Sequence, residues 1–529
     1  MRSTTIFIAL ILSVATACAV DTSDQSGTAS SDDPSTSIGV AREPLITPAL
    51  RRVTGQTPAN PSFARTQSET AMAVGLNAPN PNPGGLSLAS PVVVTAFNDW
   101  SGVTTTGIVN DHILTHSSYL GYSRSVNAGS TWTYAGVLEP FDPNFPILRG
   151  DPSAASSPTS PNRVYLGNLA GRLDQVEPVQ NGPDWTTFGM PSSTQPTGIC
   201  VFRSTSGGLT FAGFSCVASG SEYDGTSLAV ANDETVYLAS SAESAARVHV
   251  WRIDPVTGVG TLLALPFDVP TMGHPQLSYD RFTNRLYVVV ASAGNILASY
   301  WNGQTWSSPI ALNPPGTSFV WISVKFGAPA GLVRQGRFFT FDVAPPRTAG
   351  LILDSTRAFR FAFTAWMPSG GHGLVVGACS TDLTGCAEVP AWEPPTSASS
   401  FLFDPVLRAD HFHGAGASPQ VRLSWTSVDS AVATTFSVVS SRLDVSAAAP
   451  SVPLLATPYV NYATMNACPH QASSTGGGYI GDYNDMVSVP LTLRPGYTFL
   501  RAYSWSPDVC SPIAAGSAND QHVAVVNNP

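Results

Sequence analysis

The chain has 529 residues, 43% of them hydrophobic and only 11% charged, with a formal net charge of −10. That balance argues against a nucleic-acid binder or a binder of anionic membrane surfaces. Its 45 glycines and 44 prolines follow no three-residue period, which excludes a collagen-like rod. Few charges, many turn-formers and much Val, Thr, Tyr and Trp point instead to β structure.

At the N-terminus, Arg2 precedes an apolar run from Ile6 to Ala17 that ends in the small residues Ala15-Thr16-Ala17. This pattern predicts a cleaved export signal over 1–17, too short to span a bilayer. Ala15-Thr16-Ala17-Cys18 resembles a bacterial lipobox, which implies acylation of Cys18; an ordinary secreted protein is the alternative. Seven cysteines is an odd number, and setting Cys18 aside leaves six. Those six fall into local pairs: Cys200 with Cys216, Cys379 with Cys386, and Cys468 with Cys510. An even set suits an oxidising compartment, although six cysteines allow fifteen connectivities. Residues 18–65 are rich in Ser, Thr, Asp and Pro and read as a disordered tether. The expected location is the bacterial cell envelope, at the outer membrane or cell surface, with secretion as the alternative.

The body, 66–529, carries a weak repeat. Short aromatic or β-branched runs recur at Val92–Phe97, Val164–Asn168, Thr235–Ala239, Arg285–Ala291, Arg360–Trp366, Val421–Thr426 and Thr498–Ser504. Before most of them lie another short strand and a turn rich in Asn, Asp or Pro, as at Thr226–Val230 with Asn232-Asp233. A third strand follows each: Tyr119–Arg124, Ile199–Arg203, Val248–Ile253, Ile296–Trp301, Leu374–Cys379, Phe436–Arg442 and His522–Val526. Units of this kind cannot bury both faces alone, so they must stack and close. The expected fold is an all-β propeller, with seven blades favoured and six the alternative; a pair of β-sandwiches is the rival. The last unit stops after its third strand, so a strand from about 45–65 is expected to complete it.

Ser125-Val126-Asn127-Ala128-Gly129-Ser130-Thr131-Trp132 resembles an Asp-box, the Ser-x-Asp-x-Gly-x-Thr-Trp hairpin of sialidase-like propellers, with Asn127 in place of Asp. Ser204-Thr205-Ser206-Gly207-Gly208-Leu209-Thr210-Phe211 is similar, with Ser206 in that place, and Asn302-Gly303-Gln304-Thr305-Trp306 resembles the tail of a third. The resemblance implies fold rather than chemistry, because the box lies on the outer rim. The family's chemistry needs three arginines, the first in a Phe/Tyr-Arg-Ile-Pro motif, with a Tyr–Glu pair and an Asp acid/base. The sequence has no such motif; the nearest stretch is Ile147-Leu148-Arg149-Gly150-Asp151-Pro152.

In a propeller, residues entering each innermost strand ring the top of the central channel. Here those positions read Glu69, Asp151, Asp224, His274, Asp404 and Asp482. The five carboxylates are the candidate catalytic residues. Arg149, His274, Arg408, His411, Tyr483 and Arg501 are the candidate substrate-binding ones. Paired carboxylates would serve acid/base chemistry on a glycan. Clustered oxygens at Asp482, Asn484 and Asp485 would suit calcium, but their spacing is not a complete calcium loop, so no cofactor or metal is assigned. Turn-capping is the bland reading of each carboxylate. His411 and His413 alternate on one strand face, yet no third ligand follows. No phosphate loop, nucleophile elbow or His-Glu-x-x-His helix is present.

The sequence thus predicts an exported, lipid-anchored, monomeric propeller that binds a glycan or a surface protein. A glycoside hydrolase or polysaccharide lyase working on the central face is the first alternative, and a structural envelope protein the second.

Overall fold

The computed structural model describes residues 51–52, 67–76, 91–99, 108–109, 112–113, 117–118, 120–171, 197–219, 223–242, 247–264, 267, 272–292, 295–313, 323–324, 334–335, 339–344, 358–366, 372–392, 401–409, 421–428, 435–444, 454–455, 460–466, 485–490, 497–505 and 522–528. The expected export signal, Cys18, Cys468, Cys510, His411, His413, Asp482 and Tyr483 lie outside them.

Among the described residues there is no helix, and seven sheets have four or five strands. In chain order, the first strands of these sheets are Gln67–Leu76, Ile147–Ser156, Tyr223–Val230, Met272–Asp280, Phe339–Ala344, Phe401–Ala409 and Met486–Pro490. The sheets are antiparallel meanders. The third, for example, runs Tyr223–Val230, Val236–Ala242, Arg247–Ile253 and Gly260–Leu263. The second adds one parallel bridge, from Ser117–Ser118 to Ile147–Leu148. The recurring runs read from the sequence are the second strands, and the strands read after them are the third.

The seventh sheet is completed from the other end of the chain. Arg51–Arg52 pairs with His522–Asn528, with Arg51 opposite Val525 and Arg52 opposite Ala524. The strand anticipated to complete the last unit therefore lies inside the segment that composition read as a tether.

Burial is greatest in the second strands and falls toward the fourth, and the sequence pattern follows. Val164–Gly171 and Val236–Ala242 are buried at every position. Strands covered on both faces read as largely apolar runs rather than alternating ones, here interrupted only by Asn168 and by Ser240 and Ser241. The fourth strands are half-exposed, as in Thr133–Val137 and Gly260–Leu263. Apolar side chains of successive sheets share clusters. Tyr165, Ile199 and Val201 of the second pack with Tyr223, Leu238 and Trp251 of the third, and Val487, Val489 and Leu500 of the seventh pack with Met72, Val74 and Phe97 of the first. Each fully buried Val, Leu or Phe contributes about 1.5–3 kcal/mol. This is a propeller-like arrangement: sheets stacked side by side, their first strands facing a common interior.

The hairpins joining third to fourth strands are capped in one manner. In the first sheet, Asn127 Oδ1 accepts the Thr131 N–H at 2.8 Å and Ser125 Oγ accepts the Gly129 N–H at 2.8 Å. In the second, Ser206 Oγ takes the Thr210 N–H at 3.1 Å and Ser204 Oγ the Gly208 N–H at 2.8 Å. Asn302 does the same for Gln304 and Thr305. Asp254 and Asp382 cap the equivalent hairpins of the third and fifth sheets, although sequence reading did not find them. Asp254 lacks the leading serine, and Asp382 has its threonine two residues on instead of four. Capped hairpins of this kind, three of which carry the Asp-box resemblance in sequence, thus recur at the same place in five successive sheets.

Two disulfides, Cys200–Cys216 and Cys379–Cys386, pair as expected. Each ties neighbouring strands or a hairpin of one sheet, Cys200 lying directly opposite Cys216 in the ladder.

Candidate functional site: the entry end of the first strands

Five of the seven first strands share a local irregularity. Their ladders are interrupted between Ser68 and Thr70, at Asp151–Pro152, between Asp224 and Thr226, between Met272 and Gln276, and between Phe403 and Val406. A bulge of this sort leaves a residue out of the pairing and re-aims its side chain. Glu69, Asp151, Asp224, His274 and Asp404 all sit in or beside these interruptions. They lie inside the first strands, not ahead of them, because hydrogen bonding resumes beyond each bulge.

Asp151, Asp224 and His274 come together. One carboxylate oxygen of each aspartate and one ring nitrogen of His274 lie within 4.8 Å of one another, and all three residues are half-buried. They come from the second, third and fourth sheets. The backbone is bent to achieve this: Gly150 has φ 99° and Asp151 φ 54°, left-handed values that a non-glycine residue rarely adopts. Asn98, at the end of a first-sheet strand, accepts the Asp151 N–H at 2.9 Å. The Gly225 N–H donates to Asp151 Oδ2 at 3.0 Å, and the Thr226 hydroxyl donates to the Asp151 carbonyl. Polar contacts thus run from the first sheet to the third along one end of the molecule.

Gly225 is required twice. Its φ is 62°, and a Cβ there would fall 1.8 Å from His274 Nδ1 and 2.4 Å from its Cγ. The imidazole lies directly against the backbone at 225, in space that any side chain would fill.

Beside the cluster lies a central cavity of about 350 Å³. The residues next to the cluster along the chain, Pro152 and Thr226, are part of its wall, as is Gln276 two residues beyond His274. Its lining also holds Thr70, Ser153 and Ser227 among apolar residues such as Met72, Val74, Leu228 and Val487, so hydroxyl and amide groups alternate with apolar surface. Arg408 lines the cavity too, paired with Asp485 at 2.6 Å and donating to the carbonyls of Met486 and Leu407. Asp485 also accepts the Met72 N–H at 3.0 Å. That pair joins the sixth, seventh and first sheets.

Arg149 sits at the start of the second sheet's first strand, half-buried. Glu69, Asp404 and Arg501 are placed by their strands alone. His411, Asp482 and Tyr483 lie outside the described residues.

No family model matches the chain, and no curated protein matches it. It is similar in structure to a protein of unknown function from Dyadobacter fermentans, at 14% identity, covering 90% of this chain and 98% of that one, with a TM-score of 0.37. It is similar to the NanB sialidase of Streptococcus pneumoniae, at 10% identity, covering 90% and 70%, with a TM-score of 0.39. A third similar structure is the Aleuria aurantia lectin in complex with a fucoside, at 10% identity, covering 76% and 97%, with a TM-score of 0.35. Likeness at this level says nothing about the residues of this chain's site.

Proposed function

We propose that this protein is an exported carbohydrate-binding propeller whose ligand meets the end of the central cavity marked by Asp151, Asp224 and His274. The observation that supports this reading is the convergence of those side chains, from three sheets, beside a cavity whose wall mixes hydroxyl and amide groups with apolar side chains. A sugar offers several O–H donors on a compact ring. Ionised carboxylates are acceptor-only groups with about four lone-pair sites each, and charge-assisted hydrogen bonds of this kind are the strong ones. The cavity volume falls at the lower end of the roughly 300–1,000 Å³ typical of small-ligand pockets. Paired carboxylates on a chain of net charge −10 favour a neutral sugar over a polyanion. The disulfides support an oxidising compartment. Acylation at Cys18, attachment to the cell surface and a monomeric state belong to the same proposal.

The test is a glycan array followed by calorimetry on the full chain. Binding of a neutral glycan that is lost in both Asp151→Asn and Asp224→Asn supports the reading. Binding only to a surface protein, unaffected by either change, sinks it.

One observation favours a second reading, hydrolysis. One oxygen of each carboxylate lies within 4.8 Å of the other, so the pair is closer than the roughly 6.5–9.5 Å of inverting glycosidases and suits only the retaining arrangement. Turnover of chromogenic glycosides that falls about 10²–10⁴-fold in either variant would establish it.

A further inference from the structure

We infer that Asp151, Asp224 and His274 form a binding site for a single first-row divalent cation, of which Mn²⁺ is the probe used below. The site is distinct from the Asp482–Asn484–Asp485 group that the sequence offered for calcium, where Asp485 is tied to Arg408.

Three observations carry the inference. The first is the donor set. Two carboxylates and an imidazole place two oxygens and one nitrogen within 4.8 Å of one another. A cation with ligand distances of about 2.0–2.6 Å spans donors up to about 4–5 Å apart. The second is charge. Two acceptor-only groups repel at this separation, and a dication between them converts the repulsion into attraction. The third is the cradle around the histidine. Gly225 leaves the space that the imidazole fills, a Cβ there lying 1.8 Å from its ring nitrogen. The same glycine's N–H holds Asp151 Oδ2 at 3.0 Å. Ligating carboxylates are characteristically held by such outer hydrogen bonds, and these fix their orientation.

The nitrogen donor decides the class of metal. Oxygen-only sets suit Mg²⁺ and Ca²⁺, whereas imidazole brings in the first-row transition ions and Zn²⁺. Three protein ligands leave coordination positions open, as at catalytic zinc sites. Those positions are where an oxygen of a solute from the neighbouring cavity would bind. The cation site itself does not depend on the carbohydrate reading, and it is tested without any glycan present.

The experiment is a titration of Mn²⁺ into the full chain, stripped with chelator. Free Mn²⁺ is followed by electron paramagnetic resonance and the unfolding midpoint is read beside it. The expected result is one bound Mn²⁺ per chain and a midpoint that rises with Mn²⁺ concentration. Asp224→Asn, Asp151→Asn and His274→Gln should each weaken binding by at least about 100-fold, the upper end of what loss of an outer-shell partner does. Gly225→Ala keeps every donor and should weaken binding as well, by displacing the ring. Variants are compared only where the metal-free midpoint matches wild type. Wild-type protein that binds no Mn²⁺ at millimolar concentration overturns the inference. So does binding that survives all three ligand substitutions.

Discussion

The two ends of the first strands solve the same problem in opposite ways. At both ends a carboxylate reaches across from one sheet to the next. At the far end, where first strands turn into second ones, Glu234 of the third sheet is surrounded by donors from the second. The Ser157 hydroxyl donates to it, as do the Thr159 hydroxyl at 2.6 Å and Arg163 Nη1 at 3.3 Å. Burial alone would push the Glu234 carboxyl up. Hydrogen bonds from Ser157, Thr159 and Ser160 and the Arg163 charge outweigh it and hold the group below its usual value. At the entry end, Asp151, Asp224 and His274 converge from three sheets, with the Gly225 N–H on Asp151 Oδ2. One end is built as an inter-sheet joint. The other gathers two carboxylates and an imidazole from three sheets beside the cavity.

Mutation tests this contrast most severely. Glu234→Ala strands the Arg163 guanidinium and two hydroxyls, with the Glu234 side chain only 12% exposed. Removing the acceptor of a partly buried charged network is expected to cost about 2–3 kcal/mol in urea unfolding. Asp224→Asn should change the stability of the metal-free protein by no more than about 0.5 kcal/mol, or raise it, because it relieves repulsion. Equal losses from the two variants would erase the distinction between the ends.

Acid sharpens it further. The Glu234 carboxyl is depressed in the folded state, so its contribution is complete above the unfolded value of 4.5 and is lost as pH falls through the lower folded value. His249, in the third sheet, is shifted the other way relative to its charge. Burial, aided by Arg247, lowers its affinity for a proton. Below about 6.5 the unfolded chain takes up a proton that the folded one refuses, so stability falls from 6.5 downward. A pH series of unfolding free energies should show both windows. Glu234→Gln should remove only the more acid one, and His249→Gln only the upper one.

What the sequence revealed follows from which interactions are local. Second strands such as Val164–Gly171 are covered on both faces and are apolar or glycine at all but one position, Asn168, so they can be read without a structure. That Glu69, Asp151, Asp224, His274 and Asp404 share one position in their first strands was legible because each falls at the same place in its unit; Asp482, read with them, lies outside the described residues. That His274 and two aspartates converge was not legible, since it depends on bulges in three ladders and on the missing side chain of Gly225. Glu234 was passed over altogether. It looks like an ordinary turn residue in Asn232-Asp233-Glu234, and its partners lie about 70 positions away in sequence, at Ser157, Thr159 and Arg163. No local pattern encodes that joint.

The smallest expected effect lies at the rim, away from both ends. Ser206 stands where its hairpin motif usually has Asp, and its hydroxyl takes the Thr210 N–H at 3.1 Å in an exposed turn. Ser206→Asp would offer two oxygens in place of one and charge-assist the bond, as Asp254 does in the third sheet, where the Thr257 N–H sits at 2.7 Å. Water competes for an exposed bond, so the gain should stay near 0.5 kcal/mol. A change that small vanishes in the unfolding of a chain this long, but not in hydrogen exchange. Exchange of the Thr210 amide should slow about twofold, while amides of Val201 and Phe202, buried in the same sheet, stay unchanged. Slowing that spreads into those strands would mean that the rim hairpin is coupled to the sheet. The contrast between the two ends would then be one feature of a molecule stabilised throughout, not a division between joint and site.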